Sequence, residues 1–412
     1  MAKRILLIGY NFSPEPTGIG KYSGEMMEWL ANAGYDCSVI TTYPYYPYWK
    51  VQEPYYKNRF WYLKETSAKE SGGKITVYRC PMYVPKQPTG LKRILLDFSF
   101  MGTAFLKLTT LMFHKKYEVV ITVVPSFQFG LLGYFYKVFR KAKTVYHIQD
   151  MQIEAAQDLN MIKSKRMIDL LYKVERFIFN KTDIVSSISE SMVAKIQEKA
   201  HKKVVLFPNW TDTHFFSPLT NKEQLKLNFG FLPTDKIVLY SGAIGEKQGL
   251  EAIILAAETF KEEVNIKFLI CGSGPYKEKL QHLAASKYLN NVIFFPLQPI
   301  EKFNQFLNMA DVHLVIQKAK ASDLVMPSKL TTILSVGGLA LITANEDSGL
   351  YALVNKYKMG ILVNAEEQVA LNKGIEEALT SSEREKIMEN ARLYAEGYLE
   401  VNNIMRTFEH VL

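Results

Sequence analysis

Ile237-Val238-Leu239-Tyr240-Ser241-Gly242-Ala243-Ile244-Gly245-Glu246-Lys247-Gln248-Gly249-Leu250 is the stretch that decides the fold. A short apolar run ends in a turn carrying three glycines, and a helical segment follows. A buried parallel strand passes to its crossover helix in this way. The same opening stands at the N-terminus. There Arg4-Ile5-Leu6-Leu7-Ile8-Gly9 leads into the loop Ser13-Pro14-Glu15-Pro16-Thr17-Gly18-Ile19-Gly20. The spacing of Tyr22, Met26, Met27, Trp29 and Leu30 then predicts a helix over 19–33, closed by Gly34. The chain therefore begins an α/β domain twice.

Working outward, apolar runs predict further strands at 37–41, 75–80, 118–123, 143–148, 183–187 and 203–207 in the first half. After 237–241, the second half repeats the rhythm at 266–271, 292–295, 312–316 and 339–343. Helical segments alternate with these strands, the pattern of a parallel, doubly wound sheet. Pro208-Asn209-Trp210 and the polar stretch to Asp235 separate the halves, while 383–412 reads as helical and able to return to the first domain. The expected division is 1–212, 213–395 and a final helix 396–412. Residues 42–73, with Tyr43-Pro44-Tyr45-Tyr46-Pro47-Tyr48-Trp49, read as one long aromatic loop, and loops of that length usually serve function.

With 412 residues the chain has room for two such domains, and 22% charged residues make it an ordinary folded protein. Cys37, Cys80 and Cys271 lie too far apart for metal-type spacing and argue against a disulfide framework. The opening apolar run has only a strand's length, so a cytoplasmic protein is expected. The formal charge of +9 is uneven. Residues 1–205 carry 30 Lys+Arg against 17 Asp+Glu, and residues 206–412 carry 20 against 24. The basic, aromatic first half suits an anionic partner, either a membrane surface or nucleic acid.

The turns at strand ends hold the candidate chemistry, because open α/β sheets bind ligands at the carboxyl ends of their strands. Gly18 and Gly20 would let backbone approach a ligand at a helix N-terminus, although a structural turn is the simpler alternative. Their loop matches neither the dinucleotide nor the P-loop fingerprint. In Tyr146-His147-Ile148-Gln149-Asp150, alternation puts His147 and Gln149 on one face; a satisfied core histidine and a substrate-facing one are equally compatible with the residues. Gly242, Lys247 and Gln248 form a glycine-and-cation turn suited to a diphosphate, and Gly272 marks a second close-approach turn. Pro327, Ser328, Lys329 and Leu330 open a helix with a hydroxyl and a cation at its positive end.

Taken together, these stretches resemble the family-4 glycosyltransferases of GT-B fold, two Rossmann-like doubly wound domains facing a central cleft. The narrower likeness is to the bacterial branch of colanic-acid fucosyltransferases and O-antigen N-acetyl-fucosamine transferases. It is carried by 9–22, Tyr43-Pro44-Tyr45-Tyr46-Pro47, His147-Ile148-Gln149-Asp150, 207–212, 242–250 and 326–330. The resemblance implies a retaining transfer without metal or other cofactor, from UDP-N-acetyl-6-deoxyhexose or GDP-fucose to a polyprenyl-diphosphate-linked saccharide, in surface polysaccharide synthesis such as O-antigen or capsule. By position, Gly18 would approach the donor diphosphate, and His147 would meet the donor sugar. Lys247 or Gln248 would hold the diphosphate, Leu297 would lie near the base, and Ser328 to Leu330 near phosphates and ribose. Asp150 and Asp323 are candidate bases; Tyr45, Tyr46 and Trp49 are placed on the acceptor side. Two departures stand out. Ala243 and Gln248 occupy the places of an Arg and a Lys common in the family, and Thr332 occupies that of a ribose-binding Glu.

Residues 91–113 are apolar apart from Lys92, Arg93, Asp97 and Lys107. Asp97 and Lys107 argue against a membrane-spanning helix, leaving an interfacial helix on the inner membrane surface or a buried crossover helix. Rival functions are a sugar-nucleotide 2-epimerase of the same fold, a dehydrogenase, which lacks its fingerprint, and a nucleic-acid-binding protein, which leaves the clustered glycines unexplained.

Overall fold

The structure, a computed structural model, describes residues 3–16, 18–87, 89–158, 164–318 and 327–412; the side chains of Ala155, Ala156, Asp158 and Lys247 lie outside the description. The chain divides into two compact units, Met1–Pro208 with Met405–Leu412, and Asn209–Ile404.

The N-terminal unit runs β1 (Arg4–Ile8), α1 (Gly18–Asn32), β2 (Asp36–Thr41), β3 (Leu63–Ala68), β4 (Lys74–Arg79), α2 (Gly90–Leu111) and β5 (Val119–Val124). It continues with α3 (Gly130–Arg140), β6 (Lys143–Ile148), α4 (Gln152–Asp158), α5 (Lys165–Lys181), β7 (Ile184–Ser187), α6 (Glu190–Ala200) and β8 (Val204–Leu206). The sheet order is β3-β4-β2-β1-β5-β6-β7-β8. Every pairing is parallel except β3 with β4. The order reverses direction between β1 and β5, the switch point where such sheets open a crevice. The central strands are continuous apolar runs because both of their faces are covered; Ile5 to Ile8 are wholly buried.

The C-terminal unit runs α7 (Lys222–Asn228), β9 (Lys236–Ser241), α8 (Glu251–Thr259), β10 (Ile266–Cys271), α9 (Lys277–Ser286), β11 (Val292–Phe295) and α10 (Ile300–Asn308). It then runs β12 (Val312–Val315), α11 (Ser328–Ser335), β13 (Ala340–Thr343), α12 (Gly349–Tyr357), β14 (Ile361–Val363), α13 (Gln368–Thr380), α14 (Arg384–Tyr394) and the start of α15 (Val401–Glu409). All strands are parallel, in the order β11-β10-β9-β12-β13-β14, with the switch point between β9 and β12. Both predicted sheets are present. The end of α15 belongs to the N-terminal unit, where Phe408 stacks on Phe207 at 3.7 Å and the Tyr35 hydroxyl donates to Glu409 at 2.6 Å.

Three expectations need correction. Residues 42–73 are not one loop, since β3 lies inside them as an antiparallel edge strand. Leu-Lys-Glu-Thr-Ser-Ala hides it, because an exposed edge needs no apolar face and gains from charge. β14 also escaped prediction, being only three residues long. Finally, α2 is neither wholly buried nor wholly interfacial. Leu96, Phe100, Ala104, Leu108 and Leu111 pack inward, while Leu91, Ile94, Leu95, Phe98 and Leu106 are exposed. Asp97, the charge that spoke against a span, is buried and accepts from Gln152 Nε2 at 3.1 Å. Burial pushes its carboxyl up to about 6. By length and composition alone the helix could still cross a membrane.

Candidate active site

In the C-terminal unit the site is built at the β9/β12 switch point. The loop after β9 crosses the loop after β10, joined by hydrogen bonds from Gly242 N to Cys271 O (3.0 Å) and Ile244 N to Ser273 O (2.9 Å). This crossing corrects the reading of Gly272. A Cβ there would stand 1.9 Å from Gly242 O, so its missing side chain admits backbone, not ligand. Gly242 does face the site. A Cβ on it would meet Lys329 Nζ at 3.0 Å.

Lys329 lies in the first turn of α11, with Pro327 as its N-cap. The residue is half-buried but its ammonium end is sealed, with no hydrogen-bond acceptor among the described residues. Nζ lies 3.7 Å from the centre of the Tyr240 ring, whose hydroxyl donates to Ala243 O at 2.7 Å. Desolvation pulls the lysine down to about 7. A cation–π contact offsets only part of the cost of an unpaired buried ammonium. Of the ten other buried polar atoms without a partner among the described residues, Gln248 Oε1 lies beyond β9 and Gln317 Nε2 beyond β12. Orphaned polar groups are rare inside native proteins, and these three follow two strands flanking one switch point. Gln317 was not anticipated. Its place just past a strand end was the only signal.

The other predicted donor residues divide. Ser328 is exposed at the start of α11, a helix end whose positive dipole favours an anion, and Leu297 is exposed beyond β11. Leu330 is instead core, packed with Val315, Ile333 and Leu334, which corrects its assignment to the donor surface. Thr332 turns its hydroxyl back onto Lys329 O at 3.0 Å within its own helix. Asp323 falls outside the described residues, and so does the Lys247 side chain.

In the N-terminal unit, Gly18 has φ +60° and open space where a Cβ would be, as a backbone meant to approach a ligand requires. Gly20 does not share that role: a Cβ there would stand 2.5 Å from Glu15 Oε2, so this glycine makes room for a buried carboxylate. His147 stands directly across the β6–β7 ladder from Ser186, whose Oγ lies 3.0 Å from Nδ1, and its ring packs against Phe207. It is 2% exposed, and desolvation lowers it to about 3. The ring is therefore neutral at ordinary pH, with Nδ1 engaged by Ser186. Asp150 lies half-buried past the end of β6. Tyr45 is core, edge-on to Tyr10 at 6.3 Å, whereas Tyr46 and Trp49 are half-buried.

Comparison with known proteins agrees with this architecture. Residues 17–210 match the Glycosyl transferase 4-like domain, and residues 221–394 match Glycosyl transferases group 1. The chain is similar to WcaI of Escherichia coli K12, named for a glycosyl transferase role in colanic acid biosynthesis, with 40% identity over 98% of both chains. Among solved structures it resembles the sucrose-phosphate synthase of Thermosynechococcus elongatus, with TM-score 0.76 and 16% identity over 99% of this chain and 98% of that one. It also resembles HepE of Anabaena in complex with UDP and glucose, with TM-score 0.70 and 13% identity over 99% of both chains. With two matching domain models, and a relative this close along nearly its whole length, the chain belongs to the family-4 glycosyltransferases of GT-B fold.

Proposed function

We propose that this enzyme transfers a sugar, with retention, from UDP-N-acetyl-6-deoxyhexose or GDP-fucose to a lipid-linked saccharide in bacterial surface polysaccharide synthesis. The observation that supports it most is the Lys329 ammonium, which has no acceptor among the described residues, beside Gly242 at the β9/β12 switch point. A diphosphate would supply the missing acceptor. It would also draw on the positive end of α11 and on Gln248 and Lys247 in the β9 turn. As the acceptor hydroxyl attacks the anomeric carbon, the bond to the diphosphate breaks and negative charge grows on its oxygen. Lys329 stabilises that charge where water is excluded. The acceptor proton passes to the departing phosphate on the same face or to Asp150. Neutral His147 hydrogen-bonds the sugar. The likeness to WcaI supports the polysaccharide setting, and the UDP held by HepE supports a nucleotide donor. Thermal shift against nucleotides and nucleotide sugars tests the donor: stabilisation by UDP or GDP forms is expected, followed by an axial or equatorial product matching the donor's anomer by NMR. Product formed without any acceptor would identify an epimerase instead.

The same reading puts the N-terminal unit on an anionic membrane surface. The outer face of α2 exposes Leu91, Leu95 and Phe98, and the Tyr62 hydroxyl donates to Thr103 O at 3.0 Å, tying the Arg59-Phe60-Trp61 turn to that helix. Phe60 is 69% and Trp61 74% exposed, with the Arg59 guanidinium over the Phe60 ring. Aromatic rings and cations around an apolar face suit the lipid headgroup boundary. Wild type is expected to sediment with vesicles containing phosphatidylglycerol, and Leu95→Glu with Phe98→Glu to weaken this at least tenfold. Equal sedimentation of both would refute the surface.

A further inference from the structure

Two buried side chains join the loop after β1 to the loop after β2, and the proposed mechanism uses neither. Glu15 is 3% exposed. Its Oε1 accepts the backbone N–H groups of Tyr45 (3.1 Å) and Tyr46 (3.0 Å), and its Oε2 accepts Asn11 Nδ2 at 2.8 Å. Arg79, at the end of β4 and also 3% exposed, donates to Ser13 O at 2.9 Å and Thr42 O at 3.2 Å, and its Nε bonds Glu65 at 2.8 Å. Carbonyls of both loops are held by a cation, and amides of one by a carboxylate from the other.

The sheet does not supply this attachment. Strands β1 and β2 end at Ile8 and Thr41, before any of these groups. The backbone held by Glu15 carries the aromatic cluster in which Trp49 meets Tyr45 at 5.7 Å and Tyr46 at 6.4 Å, both edge-on. Trp49 itself sits at φ +53°, a conformation that a bulky residue adopts only when its surroundings impose it. Gly20 on α1 completes the seat by leaving space for the carboxylate.

We propose that Glu15 is a positioning residue that sets the place of Tyr46 and Trp49, and through them the seating of the acceptor sugar. The inference rests on the transfer reading for its acceptor, while the loop staple itself does not. Its pH behaviour follows from its surroundings. Arg79 from β4, Asn11 from its own loop and the Tyr45 and Tyr46 amides favour the ionised form, α1 presents uncharged Gly20, and the Tyr45 and Tyr46 phenols stay neutral. Burial outweighs them and raises the carboxyl to about 7. Above that pH the carboxylate accepts all three bonds; below it the protonated group holds the loop less firmly.

Hydrogen exchange and transfer kinetics on the full chain test this, with Glu15→Ala and Glu15→Gln beside wild type. In Glu15→Ala the amides of 43–49 are expected to exchange at least tenfold faster with the sheet unchanged. Acceptor KM is expected to rise at least tenfold while donor hydrolysis stays within twofold. In Glu15→Gln, which retains one amide oxygen, exchange is expected to be intermediate at pH 8 and to lose the step near pH 7 that wild type shows. Unchanged exchange in both variants overturns the staple, and this readout needs no substrate, so it stands apart from the transfer reading. A loosened loop with unaltered acceptor KM overturns the positioning role. Should Glu15→Ala not fold, the Gln variant's pH profile decides.

Discussion

Replacing Lys329 by methionine is expected to lower kcat/KM by about 10²–10³ while raising thermal stability without nucleotide. The two effects have one cause. Among the described residues the ammonium has no acceptor and the Tyr240 ring lies beneath it, so it is held ready for charge that arrives with substrate. Methionine keeps the length and apolar volume of the stem and removes the desolvated charge. The stability gain has a pH signature whose sign is fixed. The lysine falls from its usual value near 10.5 to about 7 on folding. Between those values the unfolded chain binds the extra proton, so wild-type stability rises with pH across the window and is lost as pH falls through about 7. The advantage of Lys329→Met should therefore be larger at pH 6.5 than at pH 9.5. The stabilisation that UDP or GDP gives wild type should largely vanish in the variant. An unchanged rate and an unchanged melting curve together would remove Lys329 from the site.

Gly272→Ala is expected to cost the C-terminal unit about 3 kcal/mol or more and to abolish nucleotide binding. The added Cβ would lie 1.9 Å from Gly242 O and 3.0 Å from Ile244 Cγ1. The first obstacle is backbone, fixed by its own hydrogen bonds across the loop crossing, and cannot swing aside as a long side chain would. Gly274 stands under the same constraint, with φ +156° and Ile244 O 2.0 Å from its would-be Cβ. Gly18→Ala is the matching control. Its Cβ meets nothing, so only the left-handed conformation at φ +60° is penalised, by about 1 kcal/mol. That variant should keep its fold in urea titration. Equal unfolding midpoints for Gly272→Ala and wild type would contradict the crossing.

Why one glycine faces open space and another admits backbone could not be read from spacing. Gly18, Gly20, Gly242 and Gly272 all stand at strand-to-helix turns, and as letters they are equivalent. Gly20 serves Glu15 and Gly272 serves the β9 loop because a side chain folded back from the same loop, in one case, and backbone some thirty residues away, in the other, occupy the missing Cβ positions. His147 shows the same limit. Alternation placed it correctly on β6 but said nothing of Ser186 across the ladder or the Phe207 ring, which together leave the imidazole buried and neutral.

The sequence by itself determined the two Rossmann-like sheets, their glycine-rich turns and the family. The central apolar runs are strands buried on both faces, and each handover to a helix is a local event recorded in neighbouring residues. The tertiary structure alone decided what the turns contain. Burial, hydrogen-bond satisfaction and pKa depend on groups brought together from remote segments. For that reason the sealed ammonium of Lys329 over Tyr240, and the carboxylate of Glu15 beneath the Tyr45 and Tyr46 amides, became visible only once the chain was folded.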